Sequence, residues 1–278
     1  MTSHPALIHI ERLAAGEPLD PGTRVALHFH PDLPTSMGQV LECIARDRRY
    51  RSQFETRVSN GGLTAFEGGD RFKWESRIFA QYYDQRPASE RPKYGALELG
   101  DAYGASPRFG SCFFRVGGEV LSRCSFCFPD SYYEPAHFGT AARNGLAALL
   151  AAAPPEDLLD RYVEAHVHGE LRIPEDIEAL VLDPSYRGTD VERWARELGC
   201  AIEWHPGYVV DLEVLRANAE YRGAEIVRVA EQVAPDGCLT PAIVGAARAD
   251  ARFEVQQLKR VWHCLARFGR DWTLVPGA

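Results

Sequence analysis

The alternation of apolar and polar positions is clearest between Arg161 and Asp183, in RYVEAHVHGELRIPEDIEALVLD. A strand over residues 162–168 sends Val163, Ala165 and Val167 to one face and Tyr162, Glu164, His166 and His168 to the other, since successive strand side chains point to opposite sides. An ordinary half-buried strand shows water small, indifferent polar residues. A carboxylate, two imidazoles and a phenol on one face instead fit a strand lining a reactive cleft. Gly169 ends the pattern, Pro174 predicts a helical turn across PEDIEAL, and Val181–Leu182 predicts the start of another strand. RVALHFHPD, residues 24–32, repeats the arrangement: Val25, Leu27 and Phe29 share a face, and Arg24, Ala26, His28 and His30 share the other. Pro31 closes this strand because it has no N–H for a ladder. Two strands with an H-x-H face predict one shared site.

The same patterning lays out the rest of the chain. Residues 1–22 read as a leader and turn, and Met37 to Asp47 as a helix capped by Ser36. YRSQFETRVSNGGLTAFEGGDRFKWE is polar, glycine-rich and aromatic, the composition of a functional loop. In GGDRFKWESRIFAQYY, helical spacing joins Phe72, Glu75, Ile78, Phe79 and Tyr82, which predicts a core-facing helix. Strands are expected at Tyr94–Leu99, Phe109–Val116 and Glu119–Phe128, with FRVGGEVL a hairpin turning at Gly117–Gly118. A helix ending near Ala153 follows. Beyond Gly188 come a capped helix in TDVERWARELG, a short strand in AIEWHPGYVV, and a helical remainder carrying the stripe Leu258, Val261, Trp262, Leu265, Phe268. No internal repeat is visible. The expectation is α+β: a mixed or antiparallel sheet core over 1–186 with a mostly helical region, 187–278, packed on it.

Composition narrows the function classes. The 278 residues can bury roughly three quarters of the surface their unfolded chain exposes. Apolar content of 45% and charged content of 25% are those of a soluble globular protein. The longest apolar run, GLAALLAAAPP, is too short for a bilayer, and the N-terminal residues lack the basic and apolar regions of a secretory signal. Seven scattered cysteines fit reduced thiols and a cytoplasmic location. Cys124 and Cys127 form a lone C-x-x-C without a second pair at zinc spacing, so they read as ordinary strand residues. A net charge of −8 argues against a general polyanion-binding surface. Arg46, Arg48, Arg49 and Arg51 make a local basic run, of the kind commonly found at a solvated helix end.

HFHPD, YRSQFETRVSNGG, RPKYGAL and YVEAHVHG together resemble an uncharacterised bacterial family, domain of unknown function 3626, over roughly residues 20–270. That family brings no established activity. A deeper resemblance is to the ADP-ribosyltransferase fold. It implies a first strand ending in a His that holds NAD, a middle strand with an aromatic or Ser, and a late strand carrying a catalytic Glu. By position, His30, with His28 as the alternative, matches the first role, Tyr94 or Ser111 the second, and Glu164 the third. This chain departs from that fold in one place: Pro31 stands where the fold has a glycine after the histidine.

The chemistry implied suits these residues. Cleaving the nicotinamide–ribose bond of NAD passes through an oxocarbenium-like state, and a Glu held against the ribose 2′-hydroxyl stabilises it as charge develops. NAD contacts are expected from His28, His30, Tyr94, Ser111 and His166, and from the loop residues Tyr50, Arg51, Gln53, Phe54, Ser59, Asn60 and Gly61. Ser59, Asn60 and Gly61 would offer N–H groups to the pyrophosphate, Arg51 would neutralise it, and Phe54 or Tyr94 would stack on nicotinamide. No metal is expected in that mechanism, and the acceptor of ADP-ribose is open among protein, nucleic acid, small molecule and water. One rival is a metal-dependent hydrolase using both H-x-H strands with Asp32, and with His205 as a further ligand. The other is a module that binds a nucleotide or a protein without catalysis.

Overall fold

The structure, a computed structural model, describes residues 4–57, 63–153 and 157–271. Its centre is an eight-stranded mixed sheet. The strands are β1 (Val25–Phe29), β2 (Lys93–Leu97), β3 (Cys112–Val116), β4 (Cys124–Phe128), β5 (His137–Thr140), β6 (Glu164–Val167), β7 (Ile177–Leu182) and β8 (Ala201–Trp204). Across the sheet they run β8-β7-β3-β1-β2-β6-β4-β5, with β7 and β8 parallel and every other neighbouring pair antiparallel. The α+β class expected from the patterning is what folds. Among the described residues, no helix is long and apolar enough to cross a membrane.

The two faces of the sheet do different work. Leu27, Phe29, Phe114, Val163, Ala165 and Val167 point into the main core. There they meet α2 (Val40–Asp47), α5 (Leu146–Ala152) and α6 (Asp190–Glu197). Each large apolar side chain buried this way contributes about 1.5–3 kcal/mol. The opposite face is covered in two parts. Over β4 and β6 lie α1 (Leu7–Leu13) and α4 (Asp70–Ile78), through Ile10, Trp74, Ile78, Phe79 and Tyr83. Near the end of β1 stand the C-terminal helices α7 (Leu212–Ala217), α8 (Ala224–Val233), α9 (Pro241–Ala247) and α10 (Val255–Phe268), with their own core around Trp262. The stripe Leu258, Val261, Trp262, Leu265 is buried as its spacing predicts.

Several elements depart from the sequence reading. Gly117–Gly118 does not close a hairpin; a 3₁₀ segment, Gly118–Arg123, carries the chain to the far half of the sheet, where β4 pairs with β5 and β6. The helical turn at Pro174 gives way to β7 at Ile177, because Ile177 and Ala179–Leu182 are buried between two strands. The helix expected from Met37 begins at Val40, capped by Gln39 and Glu42 rather than Ser36, since residues 38–39 pair with 34–35. The stretch read as a leader contains helix α1, packed against β5. The division at 186/187 leaves one strand of the sheet, β8, on the helical side.

Candidate active site

The sheet is parted at its centre. β1 pairs with β3 from Val25 to Phe29, yet with β2 it forms only two pairs, Val25 opposite Leu97 and Ala26 opposite Ala96. Beyond Ala26 this ladder ends, and a cavity of about 270 Å³ opens beside it. One wall carries His28 and His30, and another carries Tyr94 and Glu164. Arg49, Arg51, Arg71 and Lys93 line it together with Asp47, Glu55 and Glu164, so basic groups slightly exceed acidic ones. Gly95, where β2 leaves β1, has no room for a side chain: a Cβ there would lie 2.5 Å from the Ala26 carbonyl oxygen.

Register places the polar residues of β6 on one face, with Glu164 opposite Ala96 and Cys127 and His166 opposite Tyr94 and Ser125. Only 6% of Glu164 is exposed, and its carboxylate is held from several sides. Ser131 donates from Oγ to Oε2 at 3.0 Å and from its backbone N–H to Oε1 at 3.3 Å. His166 Nε2 is 3.0 Å from Oε1. Ser131 Oγ also accepts from Arg71 at 2.5 Å. Burial opposes ionisation of Glu164, but His166, Arg71 and Ser131 together hold its carboxyl below its usual range. The result is an oriented, ionised carboxylate at the end of a cavity.

Behind it runs a hydrogen-bonded chain. His166 Nδ1 is 3.0 Å from Ser125 Oγ, which is 2.8 Å from His168 Nε2; His168 Nδ1 is 2.6 Å from the Tyr83 hydroxyl. Burial, reinforced by the charges of His166, His4, Lys93 and Arg123, keeps His168 neutral well below the usual histidine range. A second buried network lies beneath α4. Tyr94 donates to Glu75 at 2.8 Å, Glu75 pairs with Arg91 at 2.6 Å, and Arg71 lies 4.0 Å over the Tyr94 ring. Burial pushes the Glu75 carboxyl up to about 7 against the pull of Arg91 and Tyr94.

On the β1 wall the environment is apolar. His28 donates one hydrogen bond, from Nδ1–H to the Gly110 carbonyl at 3.0 Å, and stacks on Phe113, while its buried Nε2 has no partner. His30 meets the edge of Trp262 at 4.9 Å between centroids. Gly104, at φ +86°, packs so closely on His28 that a Cβ would lie 2.4 Å from Nε2. Burial pushes His28 down to about 3, and burial with the charges of Arg248, His263, His28 and Lys259 holds His30 neutral as well.

The structure thus brings Glu164, His28, His30, Tyr50, Arg51, Gln53 and Tyr94 to one cavity. Arg51 is already paired with Asp47 at 2.6 Å, so it would bind an anion only by giving up that contact. His166 backs Glu164 from outside the cavity wall. Two further expected residues do not line it. Phe54 lies 4.1 Å under the Arg91 guanidinium, and Ser111 is fully buried, its carbonyl accepting from His205. Ser59, Asn60 and Gly61 lie outside the described residues. The expectations missed Ser131, Arg71, Cys127, Lys93 and Ser106. Lys93 is buried on the cavity wall, gives its ammonium to the carbonyls of Ser89, Arg91 and Gly169, and is pushed down to about 8 by burial. Ser106 Oγ, also on the wall, is buried without a hydrogen-bond partner.

The ligand set of the hydrolase alternative does not assemble. Asp32 is taken by Tyr186 at 2.9 Å and Arg248 at 3.3 Å, and His205 by the Ser111 carbonyl at 2.7 Å. Among the described residues, the one group of three or more side chains that could hold a metal ion is Cys127, Glu164 and His166, which uses a single H-x-H strand.

No curated protein matches the chain. A family model described as "Protein of unknown function (DUF3626)" matches it over residues 24–154 and 150–268, nearly its whole length. The chain belongs to the DUF3626 family.

Proposed function

We propose that this protein cleaves the nicotinamide–ribose bond of NAD and passes the ADP-ribose to an acceptor or to water, with Glu164 as the catalytic carboxylate. One observation carries the reading: an ionised carboxylate, held by three hydrogen bonds from Ser131 and His166, sits on the wall of a cavity that opens where the β1–β2 ladder ends, which His28 and His30 also line. In this reading NAD enters with its nicotinamide–ribose end in the cavity, whose volume lies near the lower limit for small-molecule sites. The ribose 2′-hydroxyl donates to Glu164. As the C–N bond breaks, its electron pair leaves with neutral nicotinamide, and the positive charge that grows on the ribose strengthens that hydrogen bond. The acceptor attacks the exposed carbon and loses its proton. Tyr94 offers an aromatic surface to the nicotinamide ring, and the neutral imidazoles of β1 hold the ribose without repelling the growing cation.

The test is nicotinamide release by the purified protein with NAD, beside thermal-shift titration with NAD. Ligand at 100 times Kd should add about 2.7 kcal/mol of stability. His30→Ala should weaken NAD binding more than it slows cleavage, because its role is to hold substrate. A protein that neither binds NAD nor releases nicotinamide under any acceptor condition contradicts the proposal.

A further inference from the structure

We propose that Cys127, Glu164 and His166 form a binding site for a thiophilic divalent cation of the zinc class, and that its occupation takes Glu164 out of catalysis. Binding stands on the geometry alone; only the inhibitory consequence rests on the NAD reading.

The three donors come from two paired strands. Cys127 on β4 lies directly opposite Glu164 on β6, and His166 follows two residues on along the same face. Cys127 Sγ is 3.7 Å from Glu164 Oε1 and 3.9 Å from His166 Nε2, and those two atoms are 3.0 Å apart. A tetrahedral zinc with bonds of about 2.3 Å to sulfur and about 2.0–2.1 Å to nitrogen and oxygen needs separations of about 3.5–3.6 and 3.3 Å. Shifts of a few tenths of an ångström meet that requirement. Cys124, the other half of the C-x-x-C, lies on the opposite face of β4 and sends its thiol to the Val120 carbonyl, so it cannot join.

The surroundings suit an ion. A thiolate and a carboxylate cancel a double positive charge, leaving a neutral buried site, which offsets the repulsion from Arg71. Binding through Nε2 leaves the His166 proton on Nδ1, where it donates to Ser125; Ser125 in turn donates to neutral His168. Ser131 fixes the second carboxylate oxygen at 3.0 Å. Such partners set ligand orientation in zinc sites. Glu164 lines the cavity, so the ion has an entrance there and the cavity supplies its fourth ligand. Coordination displaces the Cys127 thiol proton, which leaves through the cavity to buffer as the thiolate binds the ion.

The experiment uses the purified full chain after chelator treatment. Calorimetric titration with Zn²⁺ in buffers of differing ionisation enthalpy should give one equivalent with proton release. Co²⁺ should give a thiolate-to-cobalt charge-transfer band. Cys127→Ser should abolish that band, and His166→Gln should weaken Zn²⁺ binding at least tenfold. Cys124→Ser, an equally buried thiol on the opposite face, should change neither, which separates ligand loss from misfolding. Zn²⁺ should stop nicotinamide release by the native protein, and chelator should restore it. Absence of one-equivalent binding, or binding and a band that survive in Cys127→Ser, overturns the site. Binding as predicted in a protein that never releases nicotinamide leaves the site standing and sinks the NAD reading; binding that leaves release unchanged removes the inhibitory role.

Discussion

The two H-x-H strands share a motif, a sheet and near-complete burial, yet they hold their imidazoles in opposite ways. On β6, His166 touches Ser125 and Glu164, and His168 touches Ser125 and Tyr83, so each ring has a polar group at both nitrogens. On β1, His28 has one hydrogen bond and an aromatic face, and His30 has a Trp262 edge among cationic neighbours. The first arrangement supports a carboxylate and can relay a proton. The second makes a neutral, pre-formed wall. Sequence motif and burial are the same in both, and the neighbouring side chains decide the chemistry.

Acidification should expose this difference most strongly. His28, His30, His168 and His263 all have folded-state pKa values below the ordinary 6.5, with His28 and His263 near 3, through burial first. The unfolded chain therefore binds protons the native state refuses: the stability these four groups contribute is complete above about pH 6.5 and is lost as pH falls, down to about 3 for His28 and His263, while Glu75, raised to about 7, opposes them with one proton. His28 and His263 each contribute roughly 1.4 kcal/mol per pH unit inside that window. Denaturant titrations at pH 7 and 5 should show a steep loss, reduced by one proton in His28→Gln; a flat profile would mean these rings are solvated.

Beneath α4, on the same face of the sheet, the Glu75–Arg91 pair is the sensitive point. Arg91→Ala leaves a buried carboxylate uncompensated and should cost about 3–5 kcal/mol, with part recovered in a Glu75→Gln, Arg91→Met double variant. Chemical denaturation of the three proteins measures it. Gly104→Ala tests the β1 wall: its Cβ would meet His28 in a left-handed backbone, and the loss should be about 1–3 kcal/mol with weaker NAD binding. An unchanged midpoint would show that His28 has room to move. The smallest effect is expected from Ser131→Ala, which should raise the Glu164 pKa and slow nicotinamide release about tenfold, or 1.4 kcal/mol. A pH–rate profile that does not shift would remove Ser131 from the site.

Much of this was legible in residues 24–30 and 162–168, because alternation alone assigns each side chain of a strand to a face. That reading correctly separated Val163, Ala165 and Val167 from Glu164 and His166, and both strands contribute to one cavity. What touches Glu164 was not legible. Ser131 reaches it from 33 positions away by following β4, a strand whose destination the Gly117–Gly118 pair disguised as a hairpin. Arg71 carries no signal of its own in the helical segment GGDRFKWESRIFAQYY, yet α4 turns it inward over Tyr94. Ser111 matches by its place in the strand expected over 109–116, but it stands one residue before β3 and its hydroxyl faces Cys112 instead of the cavity. Strand patterns encode faces locally, whereas partners across the sheet depend on topology.

The most direct test compares nicotinamide release by native protein and by Glu164→Gln, with NAD binding followed in parallel. Native protein should release nicotinamide, and Glu164→Gln should keep its fold and bind NAD while the rate falls on the order of 10²–10³-fold. Native protein that binds no NAD, or a Glu164→Gln protein that turns it over at the native rate, would contradict the assignment of Glu164 as the catalytic carboxylate.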